Sequence, residues 1–448
     1  MIALKLSKLI AIVGGKIRQQ DVDEAEVVSG FSIDSRTLNK NEVFIAIVGD
    51  NFDGNNYIDE AIEKGSPWII SSAKKHKNDQ CIYVENTREA LRKIAAHFIG
   101  IVAPKVIAIT GSNGKTTTKE MVAKILFQKY SKSEVLVTKG NFNNDIGLPL
   151  TLFNLNQNHK IVVLEMGMNH EGEIIKLCEI APPDIAVITN IGEAHIENFS
   201  SKDAIAKAKK EILIGAKSDA IAILPQDDSY LSYLRSGLLL QKFISFGTHE
   251  HSDIRVELTK TALTIYGESV NIKATLLGKE NLINMAAAVA VATALGISKD
   301  NVIKAFKDFS PIPGRLEIKT IDRNITIIDD SYNSNPSSMI MAIDVLNEHK
   351  LKKILIVGDM AELGPLSKKY HINMGHYILG KKIDLVLGIG NMTKHLIDVI
   401  GTKGFWYTSK ETLLRDLKKK LQKDSVVLVK GSRVMRMEEI VNALEEQE

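Results

Sequence analysis

The stretch Ile107-Ala-Ile-Thr-Gly-Ser-Asn-Gly-Lys-Thr-Thr-Thr118 governs how the rest of the chain is read. A β-branched run, VIAIT at 106–110, leads into a glycine-punctuated turn and then a helix-like segment, KTTTKEMVAKILFQKY at 115–130. Glycines at 111 and 114 let successive backbone N–H groups turn inward on phosphate oxygens, and the following helix N-terminus adds positive potential. In such a loop Lys115 reaches the β- and γ-phosphates, and the Thr116 hydroxyl can ligate Mg2+. The spacing departs from the common G-x-x-x-x-G-K-[ST] pattern, because the position five before Gly114 is Ile109. The loop is therefore a tighter G-x-x-G-K-T turn. Its reading is a nucleoside triphosphate site built from Gly111, Ser112, Asn113, Gly114, Lys115, Thr116 and Thr117.

Outward from this loop the chain repeats one theme, a short β-branched run followed by a helix-like stretch, which is the signature of parallel α/β structure. IVVLEM (161–166) precedes HEGEIIKLCEI, and IAVITN (185–190) precedes a helical segment near 201–216. Residues 254–277 alternate with turn residues and predict antiparallel hairpins, and a helix is expected over 281–295. PIPGR (311–315) has the composition of a hinge. Beyond it TIIDD (326–330), KKILIVGDM (352–360), DLVLGIG (384–390) and SVVLVKG (425–431) read as strands with helices between them. Before residue 104 the pattern is looser: a strand in EVFIAIVG (42–49), a helix over YIDEAIEKG (57–65) and a strand at PWIIS. The separator IVAPK (101–105) carries a proline. The fold class is α/β, with domains expected at 1–103, 104–313 and 314–448.

Composition agrees with three domains, since 448 residues at ~150 per domain gives about that number. The chain is 44% hydrophobic and 25% charged, which excludes a disordered or collagen-like polymer. A formal net charge of +3 over this length is too near neutral for nucleic acid to be the main partner. Cys81 and Cys178 lie far apart with no C-x-x-C spacing, so neither a disulfide framework nor a sequence-evident zinc site is expected, as in a reducing cytosol. Lys5 and Lys8 interrupt the apolar N-terminus, leaving Leu9 to Val13, short of the ~7–15 residues of a secretory core. MAAAVAVATALGI (285–297) falls short of a membrane span and reads as a small-residue helix packed in a core. A soluble, cytoplasmic protein is expected.

Further candidates follow the strands. Glu165 ends a buried run, where a carboxylate is costly unless paired or metal-bound, and a strand-end carboxylate in a phosphate-loop domain commonly holds Mg2+. His195, in TNIGEAHIENF, also follows a strand, although a lone histidine is more often a structural hydrogen-bonder. Lys207, Lys209 and Lys210 lie on a helix, where most lysines are solvated.

These residues resemble the Mur ligase family of ATP-dependent amide-forming enzymes. The resemblance is carried by TGSNGKTTT, GNFNNDIGLPL (140–150), LEMGMNHEGEI, TNIGEAHIENF (189–199), KAKKEI (207–212), GKENLINMAAA (278–288), PIPGRLE (311–317), IIDDSYNSNPSSM (327–339), GDMAELG (358–364) and VLVKGSRVMRME (427–438). These blocks run in order over nearly the whole chain. The resemblance implies a central P-loop NTPase-like domain, a small N-terminal α/β uridine-binding domain and a C-terminal Rossmann-like domain. Within the family the third domain receives the incoming amino acid or peptide. Asn333-Ser-Asn-Pro-Ser337 lacks the arginine of a D-N-P-R block, and with DDSY and GDMAELG it is similar to the member that adds D-alanyl-D-alanine to UDP-N-acetylmuramoyl tripeptide. FSIDSRTLNKNEVFIAIVGDNFDGNNYIDEAIEKGS (31–66) is similar to the family's uridine-binding domain, with departures at Asn55, Tyr57 and Ser66.

The resemblance also implies roles. The family phosphorylates a carboxylate with ATP, and a free amine then displaces phosphate from the acyl phosphate. Lys115 would grip the transferred group, Thr116 with Glu165 would hold one Mg2+, and His195 would help place a second. Asn143 and Asn144 would orient phosphate or carboxylate without adding an anion. Lys209 matches a position that many members carbamylate, although Lys207 and Lys210 leave that assignment ambiguous by a turn. Asn281, Asn284 and Arg315 would contact the nucleotide, and Asp330 the ribose or the incoming amine. Asn333 and Asn335 would contact the dipeptide, with Pro336 starting a helix. Lys430, Ser432 and Arg433 would hold the dipeptide carboxylate, and Ser35 and Arg36 the uridine diphosphate moiety. A monomer that closes three lobes over the reaction is expected, since a wet acyl phosphate would hydrolyse.

Overall fold

A computed structural model describes residues 2–18, 23, 25–49, 52–73, 79–238, 242–258, 262–265, 268–271, 278–307 and 309–446. Its largest sheet has nine strands in the spatial order 268–271, 262–265, 254–257, 242–247, 221–225, 185–188, 105–110, 161–165, 135–137. All neighbours are parallel from 135–137 through 254–257, and the last two pairings are antiparallel. Helices cover both faces of such a sheet, so its strands are apolar without alternation. Val106 to Thr110 and all of Ile161–Glu165 are buried accordingly. The antiparallel pairings expected over 254–277 are present among the described strands, and 259–261, 266–267 and 272–277 lie outside the described residues.

The helix Lys279–Ala294 packs against the helix Lys115–Leu126 on one face of this sheet. Met285 through Ala292 are all buried. Small alanines permit that all-round burial in a chain that offers no helix long and apolar enough to cross a membrane among the described residues.

A six-stranded sheet follows in the order 317–321, 325–330, 425–430, 352–358, 385–389, 404–407, parallel except for its first, antiparallel pair. The helix Pro336–Glu348 opens it on one side, and its start is over-determined. The Asn335 side chain accepts from the Ser338 backbone N–H, Ser338 returns the contact to the Asn335 N–H, and Pro336 occupies the first turn. The N-terminal part contributes a four-stranded parallel sheet (31–32, 43–45, 69–71, 81–83) and a two-stranded antiparallel ribbon (3–5 with 27–29). The helix Thr87–Val102 ends this region with Ala103 in the left-handed conformation, just before Pro104.

Several bounds differ from the sequence expectations for local reasons. The helix after the phosphate loop stops at Leu126 rather than running to Tyr130, because Phe127–Tyr130 tighten into short-range turn bonds. The segment HEGEIIKLCEI is helical only from Glu173, since Gly172 takes φ 86° and Glu173 bonds back to the Asn169 N–H. Strands 135–137, 221–225, 242–247, 317–321 and 404–407 were not anticipated, being short runs whose periodicity does not separate strand from helix.

In a parallel sheet every strand ends at the same edge, and ligands bind in the crevice beyond those carboxyl ends. Gly111, Glu165 and Thr189 stand at that edge of the nine-stranded sheet, and Asp330, Asp359 and Lys430 at that edge of the six-stranded one. The two edges line a single cleft of about 360 Å3.

Candidate active site

The phosphate loop is glycine-dependent for reasons the packing makes plain. Gly111 sits at φ 151° and Gly114 at φ 80°, where an added Cβ would collide with the Thr189 hydroxyl and with the Asn284 amide respectively. The segment that follows one neighbouring strand, 185–188, clamps the loop. Asn113 donates its N–H to Asn190 Oδ1 (2.9 Å), and its carbonyl accepts from Thr189 Oγ1 (2.5 Å) and Asn190 Nδ2 (3.1 Å). Ser112 Oγ donates to the Gly192 carbonyl at 2.9 Å and accepts from the Gly192 N–H at 2.7 Å. Thr189, Asn190 and Gly192 were not singled out from sequence, although TNIG follows the strand 185–188 directly.

Lys115 lies across this turn and donates to the Gly111 carbonyl at 2.7 Å. Burial pushes its ammonium below the ordinary lysine range; Glu165 opposes that shift and Arg315 adds to it. It also reaches the Ser112 carbonyl (3.5 Å), and an ammonium that meets backbone carbonyls rather than a carboxylate is well suited to accept an anion. Beside it Thr116 Oγ1 donates to Glu165 Oε2 (2.9 Å), Asn143 Nδ2 donates to Glu165 Oε1 (2.9 Å), and Arg315 donates to Thr116 Oγ1 (3.1 Å). Glu165 is thus a buried carboxylate held by neutral donors. One carboxylate and one hydroxyl beside a phosphate loop suit Mg2+, which keeps waters and phosphates in its shell rather than seeking an all-protein cage. No group of three or more His, Cys, Asp or Glu able to hold a metal occurs among the described residues.

Asn144 spends its side-chain carbonyl on the Gly147 N–H (2.8 Å), shaping the loop beside the cleft it lines. Asn281 and Asn284 line the cleft, Asn284 against Gly114. Lys209 is fully buried, and burial pushes its amine far below the lysine range, with the Lys115 charge adding to the shift. A neutral amine is the form that carbamylation requires, but Lys209 is not among the side chains lining the cleft.

The opposite wall belongs to the second sheet. Lys430, almost fully buried, pairs with Asp330 Oδ2 at 2.5 Å and donates to the Asn333 carbonyl at 2.9 Å. Burial pushes the Asp330 carboxyl up, against the pull of Lys430. The Lys430 charge, expected to hold a dipeptide carboxylate, is therefore engaged within its own lobe. Ser432 is also committed, its hydroxyl donating to the Asp359 carbonyl at 2.6 Å. Arg433 is the exposed cation of the three, held by Glu438 at 2.9 Å with its N–H on Asn333 Oδ1 at 3.3 Å. Tyr332, missed in the sequence, lies under Arg315 (4.3 Å to the ring centroid) and near Arg433 (5.8 Å).

At one rim, two contacts join the walls. Asn113 Nδ2 donates to Ser337 Oγ (2.9 Å) and Asn335 Nδ2 donates to Asn113 Oδ1 (2.8 Å), which ties the phosphate loop to the capped helix start. At the other rim His195 Nδ1 lies 2.6 Å from Glu362 Oε2, a close pairing made off the axis of an ideal ring N–H bond. His195 holds the Glu362 carboxyl below its usual range. Glu362 was likewise unmarked in the sequence beyond its place in GDMAELG.

Ser35 and Arg36 do not line this cleft. Ser35 is buried with its carbonyl accepting from Lys64 (2.9 Å), and Arg36 is exposed and paired with Asp34 (2.7 Å). Their region meets the central sheet through Arg88–Asp145 (3.0 Å), beside the Asn143–Asn144 loop.

Three family models match the chain: the Mur ligase family catalytic domain over 27–99, the Mur ligase middle domain over 109–292 and the Mur ligase glutamate ligase domain over 314–433. A UDP-N-acetylmuramoyl-tripeptide–D-alanyl-D-alanine ligase from Bacillus subtilis is 36% identical, with 99% of each chain covered. The chain belongs to the Mur ligase family. The namesake ligase from Escherichia coli is 34% identical over 100% of this chain and 99% of its own. Among solved structures, MurF from Acinetobacter baumannii superposes with TM-score 0.91 at 30% identity, covering 100% of this chain and 99% of that one. MurF from Thermotoga maritima, solved in complex with ADP, superposes with TM-score 0.85 at 31% identity, covering 94% and 98%. The three-lobed α/β architecture expected from the resemblance is that of these Mur ligases.

Proposed function

We propose that this chain is an ATP-dependent ligase that joins the carboxylate of UDP-N-acetylmuramoyl tripeptide to the amine of D-alanyl-D-alanine in cytoplasmic peptidoglycan precursor synthesis. The observation that carries the reading is the single cleft in which a phosphate loop with Lys115, Thr116 and Glu165 faces Asn333, Asn335 and Arg433 across two sheet edges. The names of the full-length relatives support the substrates, and the ADP complex of the Thermotoga relative supports the nucleotide. All these residues come from one chain, and a monomer suffices. We assign functional units to 1–103, 104–313 and 314–448; the separate sheets support this division, and the positive φ of Gly314 and Leu316 (71° and 53°) supports a hinge between the last two.

The chemical obstacle is repulsion between a carboxylate and a γ-phosphate. Two unit charges at ~4 Å in a site of effective dielectric ~20 repel by about 4 kcal/mol. Lys115 lies at the turn where the phosphates would sit, and Arg315 reaches the same point from the hinge, so both offset that repulsion as the carboxylate oxygen attacks phosphorus and ADP leaves. Asn143 holds Glu165 in place, and neutral Asn144 adds no competing anion. Thr116 and Glu165 would hold Mg2+, with His195 beside a second site; bound there, the ion neutralises charge on the phosphates. Lys209 as a carbamate would add an anionic donor to that region. The dipeptide amine then attacks the acyl carbon, and phosphate leaves from the tetrahedral intermediate. Asn333, Asn335 and Arg433 orient the dipeptide, with the Lys430–Asp330 pair as the buried floor and Ser432 fixing the strand end. Asn281, Asn284 and Asp330 flank the nucleotide, and Ser35 and Arg36 anchor the uridine diphosphate on the N-terminal lobe.

Purified protein incubated with ATP, the UDP-linked tripeptide and D-alanyl-D-alanine tests this directly. Phosphate release that requires the dipeptide is expected, and nucleotide binding without turnover would overturn the reading.

A further inference from the structure

Glu362 and His195 come from different lobes, and both stand in the left-handed backbone region, each with φ 60°. Non-glycine residues rest there only where surrounding structure holds them, and such outliers gather at functional contacts. Here the two meet each other at 2.6 Å. The six-stranded lobe anchors the loop that carries Glu362. Met360 donates its N–H to Nε2 of the fully buried His371 (3.0 Å), and the Asp359 carbonyl accepts from both the N–H and the hydroxyl of Ser432. The loop then crosses to the central lobe, where Glu197 donates its N–H to the Glu362 carbonyl (3.2 Å). Gly364, at φ 52°, passes so close to Glu197 that a Cβ would press on its side chain. Loop and receiving turn are therefore shaped for one another, although they belong to different lobes.

With Nδ1 turned to the carboxylate 2.6 Å away, Nε2 is the imidazole nitrogen left for the cleft that His195 lines. A carboxylate on the far nitrogen is the usual device for fixing a histidine's tautomer and ring plane. We infer that Glu362 is a positioning residue through which closure of the C-terminal lobe orients His195, so that the imidazole is set only when the lobes are together. An open enzyme would then hold nucleotide with His195 unaligned, and turnover, rather than nucleotide affinity, would register the contact. This rests on the reading of His195 as a group that serves the ligase reaction from the cleft.

The test compares wild type, E362Q, H195N and the double variant of the full chain by single-turnover and steady-state phosphate release with both substrates. E362Q is expected to lower kcat by roughly 10- to 100-fold, the usual loss for such a support, with KM for ATP nearly unchanged. In the H195N background the same substitution is expected to add almost nothing. The 15N shifts of the His195 imidazole are expected to move in E362Q while the melting temperature stays put. Wild-type kcat in E362Q, an equal loss in both backgrounds, or an unmoved His195 signal would overturn the inference. Wild-type turnover in H195N would instead overturn the role given to His195, a failure distinguishable from that of Glu362 alone.

Discussion

Replacing Lys115 with methionine separates the energetics of folding from those of catalysis. The side chain is half-buried, and the Lys115 ammonium is held below its ordinary range chiefly by desolvation. Its folded pKa is thus lower than its unfolded one, so the charged form is disfavoured in the folded protein. That penalty is full below the folded pKa and fades as pH rises toward the unfolded value of about 10.4. Methionine has similar bulk and no charge, so nucleotide-free Lys115→Met is expected to melt no lower than wild type near neutral pH, with any gain shrinking as pH rises. Catalysis should respond in the opposite direction. A positive charge ~4 Å from a phosphoryl oxygen at effective dielectric ~20 contributes about 4 kcal/mol, or roughly 1000-fold in rate. Dipeptide-dependent phosphate release, read beside a melting curve, measures both. A folded variant that retains kcat/KM within tenfold of wild type would refute the assignment of Lys115 to charge stabilisation.

Other substitutions probe the remaining parts of the cleft. Gly114→Ala places a Cβ against Asn284 at φ 80°, and isothermal titration should show nucleotide affinity lowered by at least tenfold. Arg315→Lys keeps the charge but loses the planar fork that reaches Thr116, so kcat is expected to fall by roughly 10-fold or more while the fold persists. Asn335→Ala removes both a helix cap and the contact to Asn113; a loss of ~1 kcal/mol in denaturant stability is expected from the cap, with a rise in KM for the nucleotide from the contact.

Much of the fold was legible because parallel strands buried on both faces leave continuous apolar runs, and glycines and prolines punctuate them. VIAIT, IVVLEM and SVVLVKG declare themselves this way. The phosphate loop was legible for a sharper reason: only glycine tolerates the backbone at 111 and 114, and a lysine and threonine must follow at once. Strand order and pairing were not legible, since register between 105–110 and 161–165 depends on contacts distant in sequence. The same is true of Glu362, whose partner lies 167 positions away, and of Lys430, whose charge is engaged by Asp330 rather than free. Residue type alone marks neither case, because a glutamate in a loop and a lysine at a strand end are each commonplace on a solvated surface.

The central claim is that the sugar-peptide's carboxylate becomes an acyl phosphate in this cleft before the dipeptide amine arrives. Tripeptide substrate carrying 18O in its terminal carboxylate tests it, with mass analysis of the inorganic phosphate released. Attack of the carboxylate on phosphorus followed by loss of phosphate carries one labelled oxygen into that product. Unlabelled phosphate accompanying normal amide formation would contradict the account.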